Sequence, residues 1–195
     1  MPAVRVMKLI AAIIAPVLLA NCAPVVIGGA TTVGMAVHDR RSVGTVVDDN
    51  TIEFKAYEIL HRDQSRLAQS HVNITSYNYV VLLSGEVATP ELRAWAEQTV
   101  SGVEGVRRVH NELLVSPPSS LGSRSNDSWI TAKAKSALIQ ISGLPSFDPS
   151  RVKVVTERGN VYLLGLVNQR EGDAVTNVVR QVSNVQQVVK LFEYI

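Results

Sequence analysis

The stretch Tyr79–Val87, YVVLLSGEV, returns 80 residues later as Gly159–Val167, GNVYLLGLV, with Gly85 falling on Gly165. The flanks of both copies match as well. Upstream, DDNTIEFKAYEIL (residues 48–60) aligns with SNDSWITAKAKSAL (residues 125–138), pairing Asp49 with Asp127, Ile52 with Ile130, Lys55 with Lys133 and Leu60 with Leu138. Downstream, VSGVEGVRRV (residues 100–109) aligns with VSNVQQVVKL (residues 182–191). The offset drifts only from 78 to 82 residues, so one structural unit is present twice with small insertions.

Each copy reads as helix, strand, strand, helix, strand. In the second, Ile130, Ala134, Ala137, Leu138 and Ile141 recur at helical spacing behind Asp127, which is read as the N-cap. VKVVT, a turn at ERGN, and VYLLGLV make a hairpin with Val152, Val154, Val161 and Leu163 facing inward. Asn168 followed by Glu171 is a capping-box signal for the next helix, and Thr89-Pro90-Glu91 does the same in the first copy. VQQVVKLFEYI closes the unit as a strand. The predicted fold is α+β: two tandem αββαβ units, each a three-stranded mixed sheet carrying two helices on one face.

Outside the repeat the chain begins with a signal-peptide plan. Arg5 and Lys8 precede an apolar run of 12 residues, Leu9–Ala20, which as a helix spans about 18 Å and is too short for a hydrocarbon core of about 30 Å. The shorter start at Met7 also yields a full signal. Cys22, the single cysteine, follows at once and has no partner for an internal disulfide. Leu19-Ala20-Asn21-Cys22 resembles the lipobox of bacterial lipoproteins, with Asn21 standing where a smaller residue is usual. That resemblance implies an acylated Cys22, and Ala23 after it, in place of aspartate, implies sorting to the inner leaflet of the outer membrane, facing the periplasm. The expected layout is a signal over 1–21, an acylated tether over 22–47, one unit over 48–115, a Pro/Ser linker over 116–125 and the second unit over 126–195.

Two units of this size and order, with LSGEV and LLGLV entering the second helix, resemble BON domains, modules of bacterial envelope proteins. With the lipobox and the RRSVGTVVDDNTIE lead, the mature chain is similar throughout to the dual-BON outer-membrane lipoproteins of Gram-negative bacteria. The resemblance implies binding to anionic phospholipid of the phosphatidylglycerol kind, chiefly through the first helix of the second unit, and a role in outer-membrane integrity. Carried onto this sequence, the contact residues are Trp129, Ile130, Lys133, Ala134, Ser136 and Ile139.

The residues themselves support part of this. Trp129 lies about 100° around the helix from the core residue Ile130 and so projects sideways, with Ala132, Lys133 and Ser136 at its i+3, i+4 and i+7 positions. Indole favours a membrane interface, and a lysine can reach phosphates while its stem covers apolar surface. The competing reading packs Trp129 against the linker or the other unit. In the first copy Thr51 replaces Trp129, with Glu53 and Glu58 close by, so the copies are expected to differ in role. Losing Arg5 and Lys8 with the signal leaves 17 basic against 17 acidic side chains, which disfavours nucleic acid as a partner. The balance is uneven: residues 49–115 carry six basic against nine acidic groups, residues 126–195 eight against six.

Trp95 falls on an apolar stripe with Leu92, Ala96, Thr99 and Val100 and reads as core; Tyr57, Tyr77 and Tyr79 offer a protein-contact patch on the first unit, although strand aromatics usually just pack. His38, His61, His71 and His110 show no ligand spacing, so the sequence points to no metal and no cofactor. No phosphate-cradling loop or nucleophile motif is present, and the chain is expected not to be an enzyme. Three functions remain open: a lipid-recognising protein, an adaptor whose units, the first above all, dock envelope proteins while the anchor only localises it, or a structural spacer with neither activity.

Overall fold

The computed structural model describes residues 39–62, 65–144 and 146–195; the signal segment, Cys22 and most of the stretch read as a tether lie outside the described residues. The order is α1 (Val43–His61), β1 (His71–Tyr77), β2 (Val80–Val87), α2 (Pro90–Ser101), β3 (Arg108–Val115), α3 (Leu121–Ile139), β4 (Val152–Glu157), β5 (Asn160–Val167), α4 (Gln169–Arg180) and β6 (Gln187–Tyr194). A 3₁₀ turn, Pro149–Arg151, leads into β4. Each half is a three-stranded sheet in sequence order, with an antiparallel first pair and a parallel second pair joined through the second helix. The predicted α+β architecture is the one observed.

Local chemistry explains most element ends. Thr89 caps α2 with Pro90 in the first turn, and Asn168 and Glu171 form the reciprocal capping box of α4. Both first helices, however, begin earlier than expected: α1 at Val43, inside the stretch read as a tether, and α3 at Leu121, inside the stretch read as a linker. Their caps are Ser42 and Ser120, whose hydroxyls accept from the Thr45 and Ser123 amides. The glycine in each first turn, Gly44 and Gly122, conceals these starts.

Asp127 is therefore not an N-cap. It sits mid-helix, buried, and accepts the backbone N–H groups of Arg158 and Gly159 at 2.9 and 2.8 Å. Its counterpart Asp49 accepts from Asn78 N, Tyr79 N and Ser76 Oγ at 2.7–2.8 Å. These are the two-residue hairpin turns, and all four turn residues have positive φ, three of them not glycine. A primed turn requires that backbone, and left-handed φ costs a residue with a Cβ about 1–2 kcal/mol. The buried carboxylates hold the turns by their otherwise unpaired amides. Gly85 and Gly165 answer a second constraint: a Cβ there would lie 2.0 Å from the His71 carbonyl oxygen or 2.8 Å from that of Arg151.

Two cores form between each sheet and its helices. The first gathers Ile52, Ala56, Leu60, Val81, Leu83, Ala96, Val100 and Leu113; the second gathers Ile130, Ala134, Leu138, Val154, Val161, Leu163, Val175 and Val179. Trp95 is half-buried against the first, under the Arg66 guanidinium 4.7 Å from its ring centre. The opposite faces of the sheets are not left to water. All described residues belong to one compact unit, Met35–Ile195, and a third core of Tyr77, Leu82, Tyr162 and Leu164, with Val155, Leu166, Val189 and Leu191, lies between the two sheets. Each fully buried leucine there contributes about 1.5–3 kcal/mol. Burial pushes the Tyr162 phenol up to about 12. Tyr77 is consequently no part of a surface patch with Tyr57 and Tyr79: it packs as strand aromatics usually do, buried, its hydroxyl donating to the Arg151 carbonyl.

Polar bonds between the halves ring this core. Lys153 Nζ meets Glu53 Oε1 at 2.8 Å, Asn73 Nδ2 donates to Glu157 Oε2 at 2.8 Å, and Asn78 Nδ2 donates to Glu193 Oε1 at 2.9 Å. Arg40, ahead of α1, grips Glu171 of α4 through two bonds of 2.6 and 2.8 Å and the Leu166 carbonyl through a third. Burial works against an ionised Glu171, but the Arg40 guanidinium and the Asn168 amide outweigh it and hold the carboxyl below its ordinary range.

Candidate functional site: the outer face of the third helix

The inward stripe of α3, Asp127, Ile130, Ala134 and Leu138, leaves the opposite side to solvent. Along that side Leu121, Ser125, Trp129, Ala132, Ser136 and Ile139 follow at three- and four-residue steps, all exposed. Three of them are large and apolar: Leu121 is 79 %, Trp129 62 % and Ile139 73 % exposed. Ala132 and Ser136 between them are small, and the Ser136 hydroxyl is folded back onto the Ala132 carbonyl, so it offers no protruding polar group. Exposed Lys135 flanks one edge. On the other edge Lys133 extends its ammonium to the Ser183 carbonyl and hydroxyl at 3.0 and 2.7 Å. The one acid of the helix, Asp127, is turned inward.

This geometry sorts the expected contact residues. Trp129, Ser136 and Ile139 share the open face. Ile130 and Ala134 do not reach it: both are fully buried in the second core, because they lie on the stripe that packs against β4 and β5. Their part is to hold the helix down. Lys133 stands at the margin with its charge already engaged. Two members of the face were missed. Leu121 was hidden in the presumed linker, although it precedes Trp129 by eight residues, about two turns, and Lys135 was passed over for Lys133 although it lies closer to the Leu121–Ile139 line.

The matching face of α1 is chemically different. Val43, Val47, Phe54 and Tyr57 are exposed, and with them stand Thr51, Asp48 and Glu58. Glu53, expected to repel an anionic surface, is instead turned to the Ser76 amide and Lys153. Among the described residues no helix is long and apolar enough to cross a membrane.

Two matches to the BON domain family cover residues 48–117 and 126–195, most of the chain. The chain therefore belongs to the BON-domain family, as a two-domain member. It is 38 % identical over 181 residues to the outer membrane lipoprotein DolP of Haemophilus influenzae, covering 93 % of this chain and 92 % of that one. It is 35 % identical over 157 residues to a 21 kDa hemolysin of Actinobacillus pleuropneumoniae, covering 80 % and 79 %, and 30 % identical over 149 residues to the osmotically-inducible protein Y of Escherichia coli, covering 75 % and 72 %. The protein is accordingly an envelope lipoprotein of the outer membrane in a Gram-negative bacterium, lipid-anchored and facing the periplasm.

Proposed function

We propose that this protein binds anionic phospholipid through the outer face of α3 and thereby supports the integrity of the outer membrane, with Cys22 acylated as its anchor. The observation that carries the reading is the face itself: exposed Leu121, Trp129 and Ile139 in line, small residues between them, lysines at the edges and no acid pointing outward. An apolar ridge with cationic margins suits the boundary between headgroups and acyl chains, where each basic residue contributes about 1 kcal/mol. Such contact is weak and reversible alone. Anchored acyl chains raise the local concentration of lipid enough to make it count.

The test uses the unacylated Cys22→Ser protein and vesicles of phosphatidylglycerol or of phosphatidylcholine. Binding to the first only, reduced at least tenfold by Trp129→Glu and untouched by Thr51→Glu, is the expected result. Equal binding by both variants, or none by the parent, would overturn the reading. A second role for the first domain rests on α1: Val43, Val47, Phe54 and Tyr57 with Asp48 and Glu58 make an apolar, acidic face suited to an envelope protein and unsuited to an anionic bilayer. Loss of a co-purifying envelope protein on Phe54→Asp, with lipid binding intact, is its expected signature.

A further inference from the structure

Where the two sheets meet near one end, three ionisable side chains from both domains converge. His71 on β1 and Glu86 on β2 are direct cross-strand partners, and Glu157 comes from the end of β4 in the other domain. His71 Nδ1 stands 3.4 Å from Glu86 Oε2 and 3.8 Å from Glu157 Oε1, and one ligand atom from each residue lies within 4.8 Å of the others. Ligands at about 2.0–2.1 Å around a tetrahedral ion are separated by roughly 3.3–3.4 Å. The two His71 separations stand near that value, and the whole set, within 4.8 Å, closes on an ion by rotation of the carboxylate side chains.

The second observation is a carboxylate with no hydrogen bond. Glu86 is 0 % exposed, and neither of its oxygens accepts one; His71 Nδ1 is likewise unpartnered. Arg158 Nη1 is the cation nearest to Glu86 Oε1, but at 3.7 Å it is too far to donate, and it donates instead to Ser116 Oγ at 3.0 Å. Charge is therefore close to Glu86, but a buried carboxylate with no donor on either oxygen remains costly. Packing does not call for a carboxylate here, because the matching position of the second domain is Leu166. Glu157 is also buried; Asn73 donates to its Oε2, and its Oε1 is turned to His71. A cleft of about 180 Å³ lined by His71, Asn73, Arg124, Ser128, Thr156 and Glu157 gives an ion a way in from solvent.

We infer that His71, Glu86 and Glu157 form a site for a divalent transition-metal ion, zinc being the best match to one imidazole and two carboxylates in a tight set. The site is the one grouping of its kind among the described residues. Its ligands come from two domains, so an ion there ties the sheets together at their rim. This inference does not depend on lipid binding.

The experiment titrates ZnCl₂, with MgCl₂ as the comparison, into the full chain carrying Cys22→Ser so that no thiol competes. Isothermal calorimetry and thermal unfolding are the readouts. One equivalent of zinc bound, a raised unfolding midpoint, no response to magnesium, and at least tenfold weaker zinc binding in His71→Ala and Glu157→Gln are expected. Absence of one-to-one binding, or binding of equal affinity in both variants, overturns the assignment. Should the variants fail to fold, zinc K-edge absorption on the parent protein decides: one imidazole among oxygen donors supports the site, and two or more imidazoles refute it.

Discussion

The first helices of the two domains share their inner faces and differ on their outer ones. Inward, Asp49, Ile52, Ala56 and Leu60 of α1 repeat as Asp127, Ile130, Ala134 and Leu138 of α3, and both aspartates cap a hairpin turn. Outward, Thr51, Phe54, Glu58 and His61 face Trp129, Ala132, Ser136 and Ile139 at the matching positions. Packing against the same kind of sheet fixes the first set, whereas only what lies outside the molecule constrains the second. The difference teaches that a duplicated scaffold can hold two surfaces of opposite character.

The comparison breaks or sharpens in measurable ways. The largest expected effect separates the two aspartates. Asp49 also pairs with Arg41 at 2.7 Å and bonds Ser76, so Asp49→Ala should cost about 3–5 kcal/mol in urea unfolding, against about 2–3 kcal/mol for Asp127→Ala. Equal losses would mean that the turns, and not the extra partners, set the scale.

Acid response comes next, through Glu171 and Glu91. Both carboxyls are held below their ordinary range, Glu91 by its own backbone amide and Thr89, but Glu91 is fully exposed while Glu171 is buried against Arg40. A depressed carboxyl stabilises the fold above its unfolded value of 4.5, and that contribution fades as pH falls through the folded value. Glu171→Gln should therefore lose about 2–3 kcal/mol at neutral pH and flatten the decline of stability below about pH 4.5. Glu91→Gln should leave the acid limb almost unchanged in pH-jump denaturation.

Smaller still is the contrast between the two lysines of α3. Lys135→Ala should weaken binding to anionic vesicles about fivefold, the value of one free cation of about 1 kcal/mol. Lys133→Ala should weaken it less, since its ammonium is already bonded to Ser183. The least effect is expected from moving the chemistry across: Thr51→Trp with Glu58→Ser should raise vesicle binding by α1 only a fewfold, because Asp48 and an otherwise more acidic domain remain.

The repeat, the element order and the sideways projection of Trp129 were legible because each rests on local spacing. The start of α3 was not, since Ser119, Ser120 and Gly122 read as linker although Ser120 caps a helix. The packing of sheet on sheet was signalled only faintly. YVVLLSGEV is apolar on both faces of a strand, which marks burial on both sides, yet nothing in it says that the second cover is the other domain. His71, Glu86 and Glu157 carried no signal at all, because two meet by strand register and the third arrives from the opposite domain.

By itself, then, the sequence determined the unit, its duplication and the face of α3 that would be turned from the core, since helical and strand periods are properties of neighbouring residues. Tertiary structure alone decided that Ile130 and Ala134 support the outer face of α3 without joining it, that Lys133 is tethered while Lys135 is exposed, and that a histidine and two glutamates meet at one corner. Those outcomes depend on distances between residues far apart in the chain, and such distances exist only once the sheets have packed.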